Sequence, residues 1–110
     1  MELTDEDTKL VTLAKASRAR TRASQGAAVR DLDGRTYTAA TIALESLQVP
    51  ALDLAVAMAI SSGSRGLEAA AVVSDGDVPI ALAAAREFGG TGIDVVVADP
   101  AGTIDDVVTT

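Results

Sequence analysis

The spacing of apolar residues changes several times along the chain, and each change marks an element. Thr4, with Asp7 three residues on, resembles a helix capping box in which Asp stands for the longer Glu. Beyond it Leu10, Leu13, Ala14 and Ser17 fall on one helical face and Lys15, Arg18 and Arg22 on another, with no Gly or Pro until Gly26. This spacing predicts an amphipathic helix that ends near Arg22. Ala27 to Leu32 and Arg35 to Ile42 read as strands joined by Asp33-Gly34. An Asp-Gly pair between two apolar runs predicts a tight hairpin, and so antiparallel neighbours.

Pro50 suits the first turn of a second helix and Asp53 complements its positive end. The helix runs through Leu52 to Ile60, apolar on every side after Asp53, and stops at Ser62-Gly63. Leu67 to Ser74 is a third strand, closed by Asp75-Gly76-Asp77. Pro79 to Phe88 reads as a third helix capped by Gly89-Gly90. Ile93 to Ala98 is a strand apolar enough to be buried on both faces. Asp99-Pro100-Ala101-Gly102 is a turn, and the tail 103–110 is either an edge strand or a frayed end. A hairpin followed by strand–helix–strand crossovers predicts an α/β domain with a mixed sheet and helices on both faces. A fully parallel, flavodoxin-like sheet is the competing arrangement, and Asp33-Gly34 argues against it.

Composition narrows the functional classes. A length of 110 residues with 48% apolar content suits one domain over 1–110, and no linker divides it. The chain has no Cys and no His, which excludes disulfides, zinc held by thiolates or imidazoles, and nucleophiles activated by His. Tyr37 and Phe88 are the only aromatic residues, so base stacking lacks its platforms. A formal net charge of −7 argues against a domain that wraps nucleic acid. The acidic start lacks the apolar stretch of a signal peptide, and the longest apolar run, Leu54 to Ile60, falls far short of the roughly 20 residues of a membrane span. A cytoplasmic domain with no membrane partner is expected. An Ala-rich core buries little area per side chain, which favours self-association.

Gly26-Ala27-Ala28-Val29, then Asp33-Gly34-Arg35-Thr36-Tyr37, then an apolar helix and a Val-rich strand, resemble the cytidine deaminase family over roughly residues 8–104. The resemblance implies that family's three-layer fold. It also implies a zinc site and a proton-shuttling Glu, carried by a Cys-Ala-Glu and a Pro-Cys-x-x-Cys motif. Counted onward from Gly34, these motifs fall on Leu52-Asp53-Leu54 and on Pro79-Ile80-Ala81-Leu82-Ala83. Leu52, Ile80 and Ala83 then stand where the metal ligands would be, and Leu54 where the Glu would be. The Asn and Glu that grip the nucleoside sugar in relatives fall on Thr41 and Ala43. Zinc-dependent deamination needs a metal-activated water and a carboxylate to move protons, and Leu and Ile supply no lone pair. The expectation is a chain that is not an enzyme, with no metal and no cofactor, acting as an inactive, oligomeric binding or scaffold module. Residual nucleoside binding near Thr41, without deamination, is a further reading.

Other motifs carry less. Gly89-Gly90-Thr91-Gly92 follows a helix instead of opening one, so it reads as a cap and not a phosphate loop. Ser62 to Gly66 reads as a helix end, and Asp75-Gly76-Asp77 and Asp105-Asp106 as a turn and a solvated tail in place of cation sites. Residues 8–30 hold Lys9, Lys15, Arg18, Arg20, Arg22 and Arg30 with no acid between them. The alternative function is therefore an RNA, phosphate or acidic-partner patch built on Lys15, Arg18 and Arg22. A helix apolar all round is normally buried on every side. A homo-oligomer, dimer or tetramer, is expected to pack through Leu54, Met58 and Ile60. Family relatives commonly pack through this helix, so the resemblance points the same way.

Overall fold

Thr4 caps the first helix, α1 (Asp5–Thr21), by accepting a 3.0 Å hydrogen bond on its hydroxyl from the Asp7 backbone N–H. This is half of a capping box, because the Asp7 carboxylate turns to Arg30 instead of reaching back. The computed structural model describes residues 3–76 and 78–110. Asp77 of the Asp75-Gly76-Asp77 turn, and Met1-Glu2 of the acidic start, lie outside the described residues.

The strands β1 (Gln25–Asp31) and β2 (Thr36–Ala40) pair antiparallel, with Ala27 opposite Ala39 and Val29 opposite Tyr37. Asp31 N–H donates to the Arg35 carbonyl at 2.8 Å and Gly34 N–H to the Asp31 carbonyl at 3.1 Å, so the hairpin turns at Asp33-Gly34 as expected but takes Leu32 out of the first strand and into the loop. Gly34 has φ +83°, a conformation that a side chain disfavours. β5 (Leu67–Ser74) lies antiparallel to β1, and β6 (Asp94–Ala98) runs parallel to β5. The tail forms β7 (Ile104–Thr109), antiparallel to β6, so the sheet order is β2-β1-β5-β6-β7. The sheet is mixed, as the Asp33-Gly34 hairpin requires, and the parallel alternative is ruled out.

Alternation along the strands sends two cores to opposite faces. Ala27, Val29, Leu67, Ala70, Val72 and Val95 pack beneath α2 (Ala51–Ser61) and α3 (Ala83–Gly89). Ala28, Ala69, Ala71, Val73, Val96 and Ala98 pack against Leu10, Val11 and Ala14 of α1. Helices therefore cover both faces in three layers, and β6 is buried on both. Gly26 lets α1 approach the sheet closely. A Cβ there would collide with the Ala14 carbonyl oxygen and lie 2.7 Å from the Arg18 amide nitrogen.

Two segments depart from the sequence pattern. The run Arg35 to Ile42 breaks at Thr41, whose N–H bonds to the Gln25 carbonyl at 3.0 Å. The chain then forms a separate small hairpin of β3 (Ile42–Ala43) and β4 (Gln48–Val49). The third helix begins at Ala83, not at Pro79. The Val78 carbonyl accepts from the Gln25 side chain at 2.8 Å, a long-range bond that holds the start of this segment against β1. Leu82 then opens α3 with no side-chain cap.

Candidate functional site

The start of β1, the β3–β4 hairpin and the segment after β5 meet at one end of the inner strands β1 and β5. They line an open cavity of about 480 Å³, formed by Ser24, Gln25, Thr41, Ile42, Ala43, Gln48, Val49, Pro50, Val78 and Pro79. None of these residues carries a charge. Thr41 and Ala43, which the resemblance aligns with sugar-gripping residues, both lie in this wall, and Pro50 lies at the start of α2. The volume falls in the range of small-molecule sites.

Ser24, Gln25 and Thr41 of the wall form one connected set. Ser24 Oγ donates to Thr41 Oγ1 at 3.5 Å, and Thr41 Oγ1 donates to the Gln25 backbone carbonyl at 3.3 Å. Gln25 Nε2 donates to Ser74 Oγ at 3.3 Å and to the Val78 carbonyl at 2.8 Å. Ser74 Oγ also accepts from the Gly76 N–H at 3.1 Å. The last strand residue of β5, the loop beyond it and the start of β1 are thus tied together. Sequence reasoning passed over Gln25 and Gln48. The signal for Gln25 was available, since it is a polar side chain directly before the apolar run Gly26-Ala27-Ala28-Val29.

The four positions aligned with metal chemistry sit around α2 and α3. Leu52 is fully buried in the core, Leu54 and Ile80 are half-buried and pack against it, and Ala83 is exposed at the start of α3. Asp53 Oδ1 is buried and unpartnered in the first turn of α2, where the helix dipole favours a negative group. One carboxylate does not hold zinc. Among the described residues no cluster of His, Cys, Asp or Glu is placed to hold a metal ion. The residues present do not fit a zinc ion, and no step through one is derived from them.

The basic stretch on α1 is thinner in space than in sequence. Lys9 pairs with Glu6 at 3.0 Å. Arg30 is buried between Asp7 at 2.9 Å and Glu68 at 3.3 Å. Burial works against the Arg30 charge, but the Asp7 hydrogen bond and the charges of Glu68 and Asp7 outweigh it and raise its pKa above the ordinary value. Arg18 Nε donates to the Ser24 carbonyl at 3.4 Å, and the Lys15 stem runs beside Gly102 at the rim of a cavity of about 270 Å³. Arg22 is exposed and closes the helix with φ +56°. On α2, Ala51, Leu52, Ala55, Val56 and Ala59 face the sheet, whereas Met58 is 40% and Ile60 50% exposed.

The sequence matches the family described as cytidine deaminase-like over residues 3–102. The structure is similar to that of cytidine deaminase from Burkholderia pseudomallei, with a TM-score of 0.73 and 27% identity over 98% of this chain and 92% of that one. It is also similar to the cytidine deaminase of Mycobacterium tuberculosis, with a TM-score of 0.70 and 26% identity over 84% of this chain and 85% of that one. Cytidine deaminase from Mycobacterium leprae matches with a TM-score of 0.71 and 22% identity over 97% of this chain and 94% of that one, a likeness of fold alone. A search of curated protein sequences finds no match. These results overturn one expectation. The reading of the chain as something other than an enzyme does not stand, because its structural neighbours are cytidine deaminases, an enzyme family. What the sequence itself states is narrower: the chain has no Cys and no His.

Proposed function

This chain belongs to the cytidine deaminase-like family, and on that premise we propose that it binds an uncharged nucleoside or nucleobase in the cavity between β1, the β3–β4 hairpin and the segment after β5. The observation that carries the reading is the cavity of about 480 Å³ whose lining, among the described residues, is uncharged and includes Thr41 and Ala43. Ile42, Val49, Pro50, Val78 and Pro79 supply apolar contact, while Ser24, Gln25, Thr41 and Gln48 supply a few polar groups, the usual balance of a small-molecule site. A phosphate would enter such a wall without a countercharge and lose its hydration. The ligand is therefore neutral. Tyr37 and Phe88 are absent from the wall, so affinity comes from aliphatic contact and hydrogen bonds.

Isothermal titration with cytidine, uridine and cytidine monophosphate tests this. The nucleosides bind, and the monophosphate binds at least about tenfold more weakly, the factor that one uncompensated charge readily exceeds. Tighter binding of the monophosphate, or no heat from either nucleoside at millimolar concentration, removes the reading.

A second reading concerns assembly. Ala57, Met58 and Ile60 form an exposed surface on α2 that carries no charge, and this supports a homo-oligomer packed through that helix. Leu54, half-buried against the core, contributes less than the sequence pattern suggests.

A further inference from the structure

Gln25 is only 3% exposed, yet it lines the cavity. Its backbone is held between Thr41 on one side and the β5 residue Ser74 on the other. Both protons of its side-chain amide are committed, one to Ser74 Oγ at 3.3 Å and one to the Val78 carbonyl at 2.8 Å. The Val78 carbonyl can only accept, so the amide nitrogen must face it. A flipped amide would set two carbonyl oxygens against each other at that distance. The orientation is therefore fixed, and Oε1 is the end left over. Among the described residues Oε1 accepts no hydrogen bond, and it is not one of the buried unpartnered atoms, which are Arg30 Nη1 and Asp53 Oδ1. It is the uncommitted polar atom of a side chain that belongs to the cavity's lining.

We propose that Gln25 determines which ligands this cavity accepts, its Oε1 taking a hydrogen bond from an N–H or O–H of a neutral ligand. The assignment rests on the cavity being the ligand site proposed above. An acceptor that cannot rotate discriminates in two directions. A ligand with a donor at that point satisfies Oε1. A ligand with an aliphatic group leaves it desolvated, and one with a carbonyl repels it. Gln25 also positions the wall, because the bond to Val78 holds the segment that brings Val78 and Pro79 to the cavity. The ligand class is a heterocycle or sugar that presents a donor to β1, without ionised groups.

The test uses the full chain with cytidine and uridine as probes. Gln25 and Gln48 are its two glutamines, so selective 13C and 15N labelling of glutamine gives two side-chain amide signals that a Gln48→Met variant assigns. On saturation with a nucleoside that binds, the Gln25 carbonyl 13C signal shifts in the wild-type chain, which needs no altered residue. Titration of Gln25→Met, after a thermal melt confirms folding, gives roughly tenfold weaker binding. A wild-type chain that binds a nucleoside with the Gln25 carbonyl signal unmoved overturns the assignment and leaves the cavity as the ligand site. So does a folded Gln25→Met that binds within twofold of wild type. Failure of both nucleosides to bind wild type removes the ligand site itself, and the role of Gln25 with it.

Discussion

The Ser64 hydroxyl donates a 2.5 Å hydrogen bond to the carboxylate of Asp31, a residue 33 positions earlier and fully buried at the end of β1. The same carboxylate accepts from the backbone N–H groups of Asp33 and Arg35, at 3.0 and 2.9 Å, and from Arg35 Nε at 3.2 Å. The Ser64 hydrogen bond holds Asp31 below the usual carboxylate range. The Arg35 and Asp33 N–H groups and the Arg35 charge act in the same direction, against the effect of burial.

A carboxylate depressed in the folded state contributes stability above its unfolded pKa and loses it as the pH falls through the folded value. Wild-type protein should lose thermal stability as the pH drops below the ordinary Asp range. Asp31→Asn should melt several degrees lower at pH 7 and show a flatter acid limb. Melting curves from pH 7 to pH 3 check this, and parallel limbs for the two proteins would contradict it.

Gly26 admits α1 to the sheet by having no side chain. Gly26→Ala places a Cβ against the Ala14 carbonyl and the Arg18 amide, backbone atoms that cannot swing aside. Overpacking of this kind destabilises by about 1–3 kcal/mol. Urea unfolding of the variant should show a lower midpoint with an unchanged slope.

If α2 forms the contact between copies, Met58→Glu with Ile60→Glu should reduce the particle to the 11.1 kDa mass of one chain, because like charges placed in an apolar interface are unpaired. Both residues are exposed in the single chain, so its fold should persist. Light scattering with circular dichroism separates the outcomes. A wild-type monomer at high micromolar concentration would end the idea.

The donor set at Leu52, Leu54, Ile80 and Ala83 makes a direct prediction about metal. Protein purified without a metal-binding tag should carry zinc well below one ion per chain, with no change in melting temperature on treatment with a chelator. Elemental analysis checks the first statement and calorimetry the second. Stoichiometric zinc would require ligands drawn from the carboxylates, since the chain contains neither Cys nor His.

What the sequence determined by itself is what neighbours along the chain can determine. Asp33-Gly34 places a turn, which needs only those residues and their flanks, but the register of Ala27 with Ala39 comes from Leu32 joining Asp33 and Gly34 in the loop, one position away from what a turn of Asp33-Gly34 alone would set. The spacing of Leu10, Ala14 and Ser17 sets the buried face of α1, and alternation along β5 sets which residues meet α1 and which meet α2. The lack of Cys and His was equally plain, because it concerns residue identity and not position.

The tertiary structure decided whatever depends on partners distant in sequence. Arg30 counted toward a basic patch until the fold placed it between Asp7 and Glu68. The run through Ile42 looked continuous until Thr41 was drawn to Gln25, and the helix expected from Pro79 begins at Ala83, with Val78 bonded to Gln25. Gln25 stands out in sequence as a polar residue before an apolar run, but what it binds did not, since its two side-chain partners lie 49 and 53 residues away. Local propensity is weak, a few tenths of a kcal/mol per residue, and one buried hydrogen bond of about 1 kcal/mol between distant segments overrides it.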